Sequence, residues 1–353
     1  MLKIGLVARC LNTSHIRGMG KYVFEVLKQS QKVKDIQWYL FADDNRERMT
    51  FPDGINAEID IFEFRGDRFH LWEQIGLPLR AIRSKIDVLH CTESTLPLWQ
   101  PKPTVVTVHD TLMWDDNHQG MVEKFYFNWL LPRALKKCSA IITISESSKN
   151  DILEKWPCLV SKLNVIPHGI EDEYFMEENS ELPGILQKQI GGEAYIVYMG
   201  GVMERKRFAW ALNVLSQSNN KAIKMVACGF GETARENEIK KLPQNLKEQV
   251  CFAEFLSDSE LRALYRGAEA VFYPTLYEGF GFGAGEAMAC GIPLISTHSG
   301  GLKEVVGKAA IKVKSRDSEA LSIAIKDLFS NPGKRDHYKK VGRERMEKEF
   351  QWQ

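Results

Sequence analysis

The chain has 353 residues, 44% of them hydrophobic, and a formal net charge of +1. That length fits two domains with full cores, and near-neutrality supplies no global field for nucleic acid or an anionic membrane. The cysteines, at positions 10, 91, 138, 158, 228, 251 and 290, are odd in number and form no C-x-x-C pair, which favours reduced thiols in a cytoplasmic protein over a disulfide scaffold.

The segment LKIGLVA at 2–8 is too short for a secretory signal and reads as a first strand. Further strands are expected over 36–41, 57–62, 87–90, 103–108, 140–144 and 163–166, with helices near 20–30, 70–84, 120–137 and 146–155. Strands alternating with helices imply a parallel sheet covered on both faces. Residues 171–193 are acidic, hold one Pro and three Gly, and read as a linker leading into a second domain. The pattern then restarts, with strands near 194–199, 223–228, 250–252, 270–273, 293–296 and 309–313. Its helices fall near 206–216, 233–240, 258–267, 283–290, 301–306, 317–329 and 333–349. Ser257 with Glu260 reads as a capping box. No apolar run approaches a membrane span, so membrane contact is expected to be peripheral, on the inner face. The expected fold is α/β, two Rossmann-like doubly wound parallel-sheet domains facing an interdomain cleft. Their limits are 1–170 and 194–335, joined by 171–193 and followed by a C-terminal helix at 336–353.

The stretch YEGFGFGAGEAMACGIPLIS at 277–296 carries the most chemistry. A glycine-rich turn lies between a strand and a helix, and glycines at 279, 281, 283 and 285 let the backbone approach a ligand closely. A helix N-terminus is a seat for phosphate. Glu278 and Glu286 add acceptors for hydroxyl groups on either side. Phosphates flanked by hydroxyl-rich sugars describe a nucleotide-sugar.

The spacing of those two acids resembles the E-x7-E signature of retaining glycosyltransferases of the GT-B fold, family 4. Other segments resemble the family in its own order: Arg17-Gly18-Met19-Gly20-Lys21-Tyr22, TVVTVHD at 104–110, AIITISESSKNDI at 140–152, VIPHGI at 165–170, YMGGVMERK at 198–206 and Gly300-Gly301-Leu302-Lys303-Glu304. The resemblance implies that Lys206, with Arg205, holds the donor diphosphate; many members carry an Arg where this chain has Gly201. It places His109 over the donor sugar and Glu278 on the sugar's hydroxyls, and makes Glu286 a ribose clamp. The backbone of Phe280, Gly281 and Phe282 is expected near the sugar. Gly18 and Gly20 are expected to reach the diphosphate, and Phe255 and Leu256 to meet the base. The family's final helix, which crosses back to the first domain, is expected to be absent after 350–353.

Each residue also has a plainer reading. The run ERKR at 204–207 suits an exposed helix start. Glu286 in the first turn of a helix over 283–290 would be favoured by the helix dipole. Asp110 is expected to cap a turn, with an acceptor-side contact as the alternative. His15, His70, His90, His118, His168, His298 and His337 read as structural, and Asp43-Asp44 and Asp115-Asp116 as solvated charges. There is no H-E-x-x-H, so no cofactor and no catalytic metal are expected beyond the nucleotide-sugar donor itself.

Lys206 and Arg205 would stabilise the leaving phosphate, and the main chain near His109 the oxocarbenium-like carbon, in a front-side displacement. The acceptor is expected to be a glycan or lipid-linked sugar in bacterial surface polysaccharide synthesis, with GDP-mannose ahead of UDP-glucose or UDP-N-acetylglucosamine as donor. Segment 68–85 holds Phe69, Trp72, Ile75, Leu79 and Ile82 at near-helical spacing, then Arg80, Arg83 and Lys85. It fits either a membrane-docking amphipathic helix or a core-facing helix with a solvated basic face. The string GFGFGA at 279–284 also matches a dinucleotide fingerprint, but it follows the fourth strand of its domain and no ribose-binding acid ends the next one. A GT-B-shaped nucleotide-sugar epimerase and a non-catalytic nucleotide-binding protein are the remaining alternatives.

Overall fold

A computed structural model describes residues 1–13, 16–43, 49–63, 71–114, 120–177, 180–217, 223–314 and 317–352. His15, His70, His118, Phe69, Asp44, Asp115 and Asp116 lie outside the described residues. The chain divides into two compact units, Met1–His168 and Gly169–Trp352.

Unit 1 is built on seven parallel strands: β1 (Leu2–Val7), β2 (Ile36–Ala42), β3 (Ala57–Ile61), β4 (Val88–Cys91), β5 (Thr104–Val108), β6 (Ala140–Thr143) and β7 (Leu163–Val165), in the order β3-β2-β1-β4-β5-β6-β7. Strand β1 pairs with both β2 and β4, so the winding direction reverses there. The core on one face joins Phe41, Leu89, Val106 and Ile141 to Trp72, Leu77, Leu131 and Leu135 from the covering helices. Apolar residues in near-continuous runs along central strands are the mark of a sheet buried on both sides.

Unit 2 has six parallel strands: β8 (Ala194–Met199), β9 (Ile223–Cys228), β10 (Val250–Phe252), β11 (Ala270–Tyr273), β12 (Leu294–Ser296) and β13 (Ile311–Lys312), in the order β10-β9-β8-β11-β12-β13. The reversal falls between β8 and β11. In open α/β sheets ligands bind outside the carboxyl ends of the strands at such a switch point. Strand β13 is shorter than the expected 309–313. The capping box is present: the Ser257 side chain accepts from the Glu260 amide, and the Glu260 side chain accepts from the Ser257 amide.

Three expectations need correction. The segment read as a linker holds a helix, Gly184–Ile190, begun after Pro183 and ended by Gly191 in the left-handed conformation. Asp43 is buried rather than solvated, and its carbonyl accepts from the Asn12 amide group. The apolar residues of 71–83 do not share one core face: Trp72 is buried while Ile75, Leu79 and Ile82 are exposed. The cause is a widened π-helical turn, Trp72–Gly76, before helix Leu77–Arg83. Pro78 has no N–H for a bond to the residue four back, and a widened turn absorbs that loss. The same device recurs where Tyr126–Leu130 precedes helix Leu131–Lys137 and its Pro132.

The terminal helix Pro332–Glu349 belongs to unit 2 and packs on helix Phe282–Ala289. Beyond it, the Ile170 amide donates to the Phe350 carbonyl at 2.6 Å, and Ile170 bridges to Gln351 in parallel.

Candidate active site

The loops after β8, β11 and β12 converge at the switch point of unit 2. After β8 the chain turns through Gly200 and Gly201 into a short helix, Glu204–Lys206. The Tyr198 hydroxyl lies 3.0 Å from the carbonyls of both Gly201 and Lys206, fastening the turn to its own strand. Gly201 has φ +72°, and a Cβ there would stand 2.3 Å from the Gly229 carbonyl oxygen. The position therefore needs glycine whatever its role in binding. The Leu276 amide donates to the Arg205 carbonyl at 2.8 Å, joining this loop to the one after β11.

Glu278 is the focus. Its Oε1 accepts from Arg205 Nη1 at 2.9 Å, from Thr275 Oγ1 at 2.9 Å and from Lys206 Nζ. Arg205 Nη1 also donates to the Tyr277 carbonyl at 3.0 Å, and Lys206 Nζ lies 3.4 Å from the Tyr273 hydroxyl and above its ring. The Glu278 carbonyl accepts from the Gly301 amide at 2.7 Å, which ties in the loop after β12. Among the described residues none donates to Glu278 Oε2. Two cations against one carboxylate leave a positive excess at the strand ends. The adjacent N-terminus of helix Phe282–Ala289 adds to it. An oxyanion with further hydroxyl groups is the ligand such a site suits.

The helix begins at Phe282, with Gly281 as its N-cap at φ +97°. Glu286 is therefore in the second turn, not the first, and the dipole does not account for it. It is 4% exposed and faces Tyr174, Tyr265 and Tyr273 electrostatically. Burial, followed by the nearby carboxylates, pushes all three phenols well above the ordinary range. Phe280 is buried beside Phe282 and Phe350. Phe255 and Leu256 follow edge strand β10, two strands from β8, and line a groove of about 1230 Å³ with Arg235 and Glu254.

The remaining predicted residues are in unit 1. His109 Nε2 lies 2.8 Å from the Thr92 carbonyl, which can only accept, so that nitrogen carries the proton. His109 Nδ1 then accepts from His168 Nε2 at 3.3 Å. The His109 carbonyl accepts from Ser148 Oγ at 3.2 Å, so both ring nitrogens and the carbonyl have partners inside the unit. Asp110 Oδ1 accepts from the Leu112 amide at 3.0 Å, the turn cap expected of it. Gly18 is the N-cap of helix Met19–Ser30, and a Cβ on Gly20 would press on the Cys10 carbonyl at 2.9 Å.

Two buried clusters in unit 1 escape sequence reasoning. His90 Nε2 and the Tyr22 hydroxyl both reach Thr107 Oγ1, at 2.8 and 3.0 Å, and the Tyr22 ring lies against His90, His109 and His168. Burial holds His90 and His109 down at about 4 and His168 well below the ordinary range; His109 adds to the effect on the other two. The second cluster lies at the β1/β4 switch point. Arg9 pairs with Glu93 at 2.7 Å and covers the Trp72 ring, and Glu73 accepts from the Tyr126 hydroxyl. Burial pushes the Glu73 carboxyl up. These residues are scattered along the chain with no periodic spacing.

Residues 186–345 match the family model described as glycosyl transferases group 1, and residues 16–174 match that of glycosyltransferase family 4. The O-antigen chain mannosyltransferase RfbU of Salmonella typhimurium is 28% identical over 246 residues, 68% of this chain and 64% of that protein. The match thus spans less than two thirds of that relative's length. Sucrose-phosphate synthase from Thermosynechococcus elongatus superposes with a TM-score of 0.76 at 18% identity, covering 100% of this chain and 96% of that one. Anabaena HepE, solved with UDP and glucose, gives 0.75 at 15% identity, covering 99% and 96%.

Proposed function

The chain belongs to glycosyltransferase family 4 and has the GT-B fold, and on that premise we propose that it is a retaining hexosyltransferase. It moves a hexose from a nucleotide-diphosphate sugar to a glycan or lipid-linked acceptor in surface polysaccharide synthesis. The observation that carries the reading is the convergence of Arg205, Lys206 and Thr275 on one oxygen of Glu278 at the switch point of unit 2. Three donors on Oε1 fix the carboxylate and leave Oε2 to accept from a sugar hydroxyl. Lys206 and Arg205 supply positive charge where the departing diphosphate gains negative charge, which lowers the barrier more than it strengthens ground-state binding. Arg205 can grip two oxygens, whereas Lys206 acts as a point charge.

The leaving phosphate takes the acceptor's proton, in a front-side displacement that needs no catalytic metal. Mannose from GDP-mannose is the preferred donor group, in keeping with the relationship to an O-antigen mannosyltransferase. UDP-glucose is second, after the ligands of the HepE structure. The test is nucleotide release from a panel of nucleotide-sugars in the presence of a chelator. One donor is expected to be hydrolysed slowly, and Lys206→Ala to slow release by about 10²–10³-fold, the usual effect of removing one transition-state charge stabiliser. A wild-type rate in Lys206→Ala would remove the leaving-group argument. Retention is read from the anomeric configuration of the product by NMR.

A further inference from the structure

At the amino end of its sheet, unit 1 holds a cavity of about 740 Å³. It is bounded by the segment LWQPKP at 98–103, the start of β5 and the turn from helix Leu131–Lys137 into β6. Its volume lies within the range of about 300–1,000 Å³ typical of small-molecule sites. His109 follows the other end of β5, roughly 15 Å away along the strand. The cavity is therefore distinct from the carboxyl-end loops that carry the predicted chemistry. Its walls are pinned. Gln74 Oε1 accepts from the Leu98 amide at 2.8 Å, and Gln100 Nε2 donates to the carbonyls of Pro97 at 2.9 Å and Ala134 at 3.0 Å. The Pro103 carbonyl accepts from the Leu89 amide at 2.9 Å, and the Thr104 carbonyl from the Ser139 amide at 2.8 Å. Lys162 Nζ donates to the Cys138 carbonyl at 2.6 Å. Pro97, Pro101 and Pro103 stiffen the segment further.

On this fixed frame Trp99 is 49% exposed. A single exposed apolar side chain needs no explanation by itself. Trp99, however, lines the cavity together with Lys102 and Lys137, and no acid lines it. Among the described residues neither lysine has an ion pair. The rest of the polar wall is amide and hydroxyl, from Gln74, Gln100, Thr104 and Ser139. We propose that this cavity is a non-catalytic binding site for an acidic oligosaccharide. The apolar C–H face of one pyranose ring would stack on the Trp99 indole, an apolar body of the right size. Its acid groups would pair with Lys102 and Lys137, each a point charge that needs no fixed geometry. Two observations select this class. Single-stranded nucleic acid uses a row of aromatic platforms for successive bases, and no second aromatic lines the cavity. A neutral glycan would leave both ammonium groups unused. On the transferase reading such a site would keep an acidic glycan on the enzyme without occupying the place of chemistry; the binding itself does not depend on that reading.

The experiment is calorimetric titration of the full chain with pentagalacturonate. Maltopentaose serves as the neutral counterpart and a short oligothymidylate as the nucleic-acid control. Pentagalacturonate is expected to bind, more weakly as salt is raised, and maltopentaose to bind about tenfold or more less tightly. Trp99→Ala should weaken pentagalacturonate binding about tenfold or more, and Trp99→Phe should restore most of it. Lys102→Gln and Lys137→Gln should each weaken it by a smaller factor. The melting temperature and nucleotide release from the donor should hold in all four variants, so a failure of the transferase reading and a failure of this one appear in different measurements. Saturating nucleotide should leave the titration unchanged. No binding of pentagalacturonate would overturn the proposal, as would binding that Trp99→Ala leaves intact. Equal binding of maltopentaose would overturn the acidic class, and tighter binding of the oligothymidylate would assign the cavity to nucleic acid instead.

Discussion

Lowering the pH should loosen unit 1 before unit 2, because unit 1 buries three histidines in their neutral form. His90 and His109 are held at about 4 by burial, and His168 is pushed well below the ordinary value of 6.5 by the same cause. The unfolded chain protonates these groups near 6.5, whereas the folded unit resists until pH nears 4, so between those values the unfolded state binds more protons. Stability therefore falls as pH drops through that window. With folded values of about 4 against 6.5 in the unfolded chain, His90 and His109 should each contribute about 2 kcal/mol less at pH 5 than at pH 8. Replacing His90 with Gln keeps a side chain able to bond Thr107 Oγ1 and removes one titrating group. The loss between pH 8 and pH 5 should then shrink by about 2 kcal/mol, whatever the variant's stability at pH 8. A chain of two units need not unfold in one step, so the assay is urea denaturation with hydrogen exchange read on peptides from β4, β5 and β6. Equal losses in wild type and His90→Gln would refute the reasoning, as would a unit 1 equally stable at both pH values.

Two further outcomes follow from local geometry. Gly201→Ala must hold an alanine at φ +72° with its Cβ against the Gly229 carbonyl; it should cost at least about 1–2 kcal/mol from the backbone conformation alone. The melting temperature of unit 2 should fall, and an unchanged one would show that the turn relaxes freely. Ser257→Ala removes the capping box of helix Asp258–Gly267 and should cost about 1 kcal/mol by chemical denaturation, while Ser257→Asp should restore most of it.

Both sheets could be read from the chain because parallel strands are short apolar runs bounded by helices, and the predicted strands fall within a few residues of the observed ones. The Lys206 and Glu278 site was legible for the same reason, since its residues sit in two loops that each follow a strand. Glu286 was placed in the first turn of its helix, but the helix starts one residue earlier than expected and Glu286 falls just past that turn. Helix Phe282–Ala289 begins at a left-handed glycine, and four glycines in seven residues leave the start ambiguous from composition. For 71–83 the spacing left a core-facing and an outward-facing helix both open; the widened turn at Trp72–Gly76 sends Trp72 into the core while Ile75, Leu79 and Ile82 face out. The histidine cluster left no trace at all: His90, His109 and His168 come from separate segments and meet only through the winding of the sheet around Tyr22.

The pairing of Ile170 with Phe350 and Gln351 sets an order of events at the ribosome. Unit 1 has all its strands once residue 168 has emerged, and can fold while synthesis continues. The pairing at Ile170 has to wait for a segment about 180 residues further on, roughly 10–40 s later at ordinary elongation rates. In that interval the strands of unit 2 are made one after another, β8 from Ala194 and β13 only up to Lys312. Slow codons over the last helix would therefore delay the completion of unit 2, to which that helix belongs.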